Sequence, residues 1–139
     1  MYIFNSVLPI TPMDVYTTFN GLLLDLFRHL AIHHPHVEGF RQAYASINLL
    51  STLNAMAVAP MFNKYIHAYI PMILGRDESF FLEKNDYDIN HVDKLDIVRQ
   101  IKDIWRGLSQ DQKDDIWVRL ETILRAHRQI EISNHAKSA

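Results

Sequence analysis

Two apolar stripes at helical spacing meet across a break of only a few residues, and that break constrains the fold more than any other feature. Val98, Ile101, Trp105 and Leu108 form the first stripe, and Gly107 and Leu108 close it. Ser109-Gln110-Asp111-Gln112 then has the form of a capping box, with a hydroxyl to hold the third backbone N–H and an amide to reach back. Ile116, Trp117, Leu120, Ile123, Leu124, His127 and Ile130 continue on the next helix. A turn this short leaves room for an antiparallel helical hairpin and little else, with Trp105 and Trp117 flanking it.

The rest of the chain reads as helix too. Thr11 is placed to cap a first helix, with Pro12 at its first position and Asp14 completing a T-P-M-D pattern. Val15, Phe19, Leu22, Leu23, Leu26 and Leu30 recur at helical spacing to about His33, where His34-Pro35-His36 breaks it. Gly21 costs about 1 kcal/mol there relative to Ala, so a neighbouring helix is expected to approach it closely. Val37, Phe40, Tyr44, Ile47 and Leu50 mark a second helix. Asn54 is expected to cap a third, carrying Val58, Phe62, Tyr65, Ile66, Tyr69 and Ile73. Pro60 and Pro71 predict a late start or a kink in it, and Gly75 ends it. Arg76–Ile89 is expected to be largely non-helical, Asn90 to cap the fourth helix, and the polar chain from Ser133 to fray.

The expected architecture is therefore all-α: a bundle of about five helices in one domain, residues 1–132. An apolar arm at residues 1–10 precedes it and a polar tail at 133–139 follows. With 48 % hydrophobic residues in 139, a full core is within reach. The absence of cysteine excludes disulfides and thiolate metal sites, and makes the cell interior the easier compartment. Met1-Tyr2-Ile3-Phe4 lacks the basic start of a secretory signal. No charged side chain occurs from Gln42 to Asn63. Asn48, Ser51, Thr52 and Asn54 interrupt that stretch, so it reads as a buried helix pair and not as a membrane span.

Charge is unevenly spread. Residues 1–75 hold three basic and three acidic side chains, and residues 76–139 hold eleven and thirteen. The weakly charged half points to a protein partner or to self-association, with Tyr2 and Phe4 of the arm among the expected contacts. Arg76, Asp77 and Glu78 stand directly before Phe80 and Phe81. They form either a binding loop that inserts two rings into a partner, or an anchor that buries them with Arg76 paired to a carboxylate.

Catalytic patterns fail. There is no G-x-S-x-G elbow, P-loop or dinucleotide fingerprint, so no catalytic residue and no cofactor is expected. Asp25, His29 and His33 fall at successive four-residue steps, which suits a shared divalent metal, but the Glu of H-E-x-x-H is missing. Asp86, Asp88 and Asn90 imitate a calcium loop that fails at His91 and Ile97. Basic residues on the last two helices (Arg99, Lys102, Arg106, Arg119, Arg125 and Arg128) are interleaved with carboxylates, which argues against nucleic-acid binding.

The run Ile73 to Leu82, with its Asp77-Glu78-Ser79-Phe80-Phe81, and the run Ile104 to Leu120, with Ile104-Trp105 and Ile116-Trp117, carry a resemblance. Over residues 54–124 they resemble small helical proteins encoded by large DNA viruses of algae and protists. That resemblance brings no activity with it. It implies a non-enzymatic viral interaction or assembly protein, located in the virion or the host-cell cytoplasm. An accessory adaptor that binds a partner through a helical groove is the alternative. A small metal-dependent enzyme built on the histidines is a third reading.

Overall fold

Pro12 opens the first helix of the computed structural model, which describes residues 12–82 and 97–138. Helix α1 runs Pro12–His33 and α2 runs Glu38–Leu53. Helix α3 (Val58–Ile66) passes through a 3-10 turn, His67–Tyr69, into α4 (Ile70–Leu74). A short α5 (Ser79–Leu82), then α6 (Ile97–Trp105) and the long α7 (Gln110–Ser138) complete the described chain. No strand occurs among the described residues. Thr11, Asn90 and the arm lie outside them.

Helix α1 is the spine. Tyr16, Phe19, Leu23, Leu26, Phe27 and Leu30 are all buried on it. Their three- and four-residue spacing makes a face wide enough to serve α2, α7 and α3. The α1 to α2 break is where Pro35 predicts it. The N–H of His34 still reaches the Leu30 carbonyl at 2.8 Å, and Val37 turns back onto His34 at 3.0 Å. Pro35 has no N–H to continue the ladder.

Pro71 explains the split of the third helix. The His67 carbonyl would bond to the N–H of residue 71 in an α-helix. It accepts instead from Ile70, which tightens that turn to 3-10 geometry. Pro60 sits in the first turn of α3, where a missing N–H costs nothing. Asn54 does not cap α3 as expected. Its N–H closes α2 onto Leu50 and its Oδ1 accepts from the N–H of Met56 at 3.1 Å. That local bond wins over a cap because Asn side chains readily bond two residues on.

After α4 the chain reverses with two bonds, Asp77 N–H to the Met72 carbonyl at 2.9 Å and Arg76 N–H to that of Ile73 at 3.1 Å. This is a Schellman closure, and its left-handed position is Arg76, with φ 49°. Asp77 Oδ1 then accepts from the N–H of Ser79 at 3.0 Å and opens α5, a helical turn within the segment expected to be irregular. Before α7 the capping box forms in both directions. Ser109 N–H donates to Gln112 Oε1 at 2.8 Å, and Gln112 N–H to Ser109 Oγ at 3.2 Å.

Helices α6 and α7 meet through Trp105 and Trp117, whose rings lie edge to face at 5.1 Å. The nearest backbone neighbours of α7 are α1 and α4, and those of α6 are α5 and α3. Helix α7 shows no break at Ser133 and continues to Ser138. Ile130 is buried, and Asn134 Nδ2 donates to the Tyr16 hydroxyl at 3.4 Å. Tertiary contact thus extends the helix where composition alone predicts fraying.

Gly21 also departs from expectation. It is exposed, and a Cβ there would meet nothing within 4 Å, so no described helix approaches it. Gly21→Ala is expected to raise stability by about 0.5–1 kcal/mol, by removing backbone freedom from the unfolded chain. An upward shift of the urea midpoint at unchanged slope checks it. The close approach is at Gly39, where an added Cβ would stand 3.0 Å from Gln100 Oε1.

Candidate functional site

The acidic-aromatic element is spent on the chain's own fold. Phe80 and Phe81 are each 2 % exposed. Phe81 stacks on Trp105 at 4.5 Å, Phe80 stacks on Tyr69 at 5.2 Å, and both rings lie near Trp117. Arg76 donates through Nε and Nη2 to both carboxylate oxygens of Glu121, at 2.9 and 3.0 Å. The same pair holds Glu121 below the usual carboxylate range. Glu78 accepts from the Trp105 indole N–H at 2.8 Å and from Lys113 at 3.2 Å, and its pKa falls chiefly through the first of these. The element fastens the α4–α5 turn to α6 and α7. Two rings this deeply buried are not available for insertion into a partner, which is the physical reason to read them as an anchor. Tyr2 and Phe4 lie outside the described residues, as do Asp86, Asp88 and Asn90.

The histidines do not assemble a metal site. Among the described residues, no three His, Asp or Glu side chains are placed to hold one ion. Asp25 turns to Arg28, at 3.7 Å, and both are exposed. His29 crosses to α7, where its Nε2 lies 3.1 Å from Asp115 Oδ2, the oxygen that also accepts from Arg119 Nε at 2.8 Å. The rings of His29 and His33 are 4.3 Å apart. These groups border a shallow cavity of about 190 Å³ with His34, Asp111 and Leu108. Burial lowers the pKa of His29, and Arg119 adds to that effect while Asp115 opposes it.

A buried polar group on the α1–α7 seam is legible in sequence only as one more position on an apolar face. His127 is 6 % exposed, tilted against Phe19 and Phe62, with its Nδ1 3.1 Å from Glu131 Oε1. Burial lowers its pKa, and Glu131 only partly restores it. A base whose folded-state pKa is depressed binds protons more readily unfolded. Stability is therefore undiminished above the ordinary histidine pKa of about 6.5, and is lost as pH falls below it toward the depressed value. His127→Phe is expected to flatten that decline, leaving the share due to His29 and His34, whose pKa values are also lowered by burial. Urea midpoints at neutral pH and at about pH 5, for both proteins, check it. Asn20 is buried as well. Its Nδ2 donates to the Ala55 carbonyl at 2.8 Å, which ties α1 to the α2–α3 turn, while its Oδ1 has no partner among the described residues.

Of the C-terminal cations, Arg106 donates to the Leu82 carbonyl at 2.7 Å and Arg119 to Asp115, while Arg128 lies 3.8 Å from Glu131. They serve the fold and its rim.

The surface that stands out is apolar and lies at the α2–α3 corner. Leu49 is 61 % exposed, Leu53 75 %, Met56 44 % and Met61 38 %. Leu50 and Met61 border a narrow dimple above Leu23, Phe27, Ile47 and Phe62, with room for about one water molecule at 10 Å³. The uncharged stretch from Gln42 to Asn63 is thus only half buried. One side supplies the core through Ala43, Ile47, Val58 and Phe62, and the other faces solvent. No described helix is long and apolar enough to cross a membrane.

No family model matches the chain, and no solved structure does. It is 25 % identical over 117 residues to an uncharacterized protein of African swine fever virus, Vero-adapted Badajoz strain. The match covers 83 % of this chain and 90 % of that one. The counterparts from tick isolates of South Africa and Malawi are 24 % identical over the same length. The likeness reaches well beyond residues 54–124, and the relatives belong to a large DNA virus; the narrower expectation of viruses of algae and protists has no support in them. Over most of its length, then, this all-helical chain is similar to uncharacterized proteins of a large DNA virus.

Proposed function

We propose that the chain is a non-enzymatic assembly protein of a large DNA virus that binds another protein subunit through the outer α2–α3 corner. The observation that carries this reading is the exposure of Leu49, Leu53, Met56 and Met61 within a stretch of chain that has no charged side chain. Single exposed apolar residues are ordinary, but four from one short uncharged segment leave apolar surface that packing among the described helices has not used. The similarity to viral proteins supports the viral setting.

The groove-binding adaptor gains less from the geometry. A helix docked in a groove needs pockets for its anchor side chains, and the α1–α2–α3 dimple at this corner has room for about one water molecule. A flat apolar contact fits better. Quantitative mass spectrometry of purified particles of the encoding virus tests the reading. Abundance in fixed proportion to the major structural proteins supports it, and absence from particles overturns it in favour of an accessory role in the infected cell.

A further inference from the structure

We infer that the subunit bound at this corner is a second copy of the chain, packed antiparallel along α2 about a two-fold axis. The inference rests on the interaction reading above and names its partner. Arg41, Ala45, Leu49 and Leu53 follow one another at four-residue steps on α2, and all four are exposed. Four-residue rows are the ridges by which helices most often interlock. This row is small at 45 and large at 49. In an antiparallel pair centred level with Ile47, residues 45 and 49 lie two positions to either side of the centre. Leu49 of each copy then meets Ala45 of the other, a large side chain over a small one at both contacts. A parallel pairing would set Leu49 on Leu49 and Ala45 on Ala45, with a bulge beside a gap.

Charge favours the same arrangement. Residues 41 and 53 also lie equidistant from that centre, so Arg41 of one copy stands beside the last turn of α2 in the other. That turn has no basic residue of its own to face its free carbonyls. Arg41 is held by Glu38 at 2.8 Å in its own chain, with both side chains largely exposed, and in the pair its aliphatic stem would cover Leu53 of the other copy. Between Gln42 and Asn63 no charge exists to meet a like charge across the axis. A two-fold contact must be complementary to itself, and this row is.

Light scattering on the full chain tests the inference at concentrations up to about 1 mM, where even weak association registers. Twice the chain mass is expected for the natural sequence, and the single-chain mass for Leu49→Asp with its helical circular dichroism unchanged. The register is tested by charge pairing. Leu49→Lys and Ala45→Glu are each expected to be monomeric, and their equimolar mixture to regain the doubled mass. In the mixture the ammonium introduced at position 49 of one chain faces the carboxylate introduced at position 45 of the other. A natural chain that is monomeric throughout, a dimer that survives Leu49→Asp, or a mixture that stays monomeric would each overturn the inference. A monomeric natural chain leaves the assembly reading standing, since particle abundance does not depend on self-association.

Discussion

Trp105→Ala is expected to lower the unfolding free energy by about 3–5 kcal/mol, a large part of the roughly 5–15 kcal/mol that holds a domain of this kind together. Trp105 is fully buried, stacked on Phe81 and edge-on to Trp117, so its loss opens a void that rigid rings on both sides fill poorly. It also leaves Glu78 without its indole donor and frees the α4–α5 turn. Urea unfolding followed by circular dichroism should show a much lower midpoint at similar slope. Trp105→Phe separates the two contributions. Ring packing largely survives, so the midpoint should fall less than with Ala. The Glu78 carboxyl should still titrate higher than in the natural protein, which carbon-detected NMR can follow, because its largest pKa-lowering contact is the indole hydrogen bond. Equal losses for Phe and Ala would mean that packing is not what Trp105 contributes.

The second large effect is expected at the other end of the core. Phe19 is fully buried where α1, α3 and α7 converge, 5.3 Å edge-on from Phe62 and 5.8 Å from His127. Phe19→Ala should cost about 3–5 kcal/mol by the same cavity argument. It should also leave a mark that Trp105→Ala does not. Opening the seam lets water reach His127, so the desolvation that lowers its pKa is relieved and the imidazole should titrate nearer its ordinary range. Proton NMR of the His127 ring in Phe19→Ala, at a denaturant-free pH series, measures that shift directly. A large loss of stability with no movement of the His127 titration would place the source of its depressed pKa elsewhere.

Helix placement was legible in the sequence for a reason that does not extend to the choice between anchor and binding loop, or to the candidate interface. The Ser109/Gln112 box, Pro12 and Pro35 act on backbone bonds within three or four residues, so their effect can be read without knowing the rest of the fold. The spacing of Phe19, Leu23, Leu26 and Leu30 identifies a core face because helical geometry turns spacing into direction. Where a local contact competed, as at Asn54, the reading failed by choosing the wrong one of two short-range bonds.

The uncharged stretch from 42 to 63 has the composition of an interior, and periodicity alone could not say that α2 would be covered on one side only. Ile47 is buried while Leu49 and Leu53 are not, because α1 and α3 close on one face of α2 and no described element closes on the other. The same holds for the polar pairings. Arg76 meets Glu121 across 45 residues, Asn20 meets Ala55 across 35, and His29 finds Asp115 on another helix. By itself, then, the sequence determined that the described chain is helical, where α1 gives way to α2 and α6 to α7, and that Trp105 and Trp117 flank the turn between those last two helices. Only the tertiary structure decided which apolar residues were left over and which charges were already taken. Those outcomes depend on how distant helices pack, and nothing within a few residues along the chain encodes that.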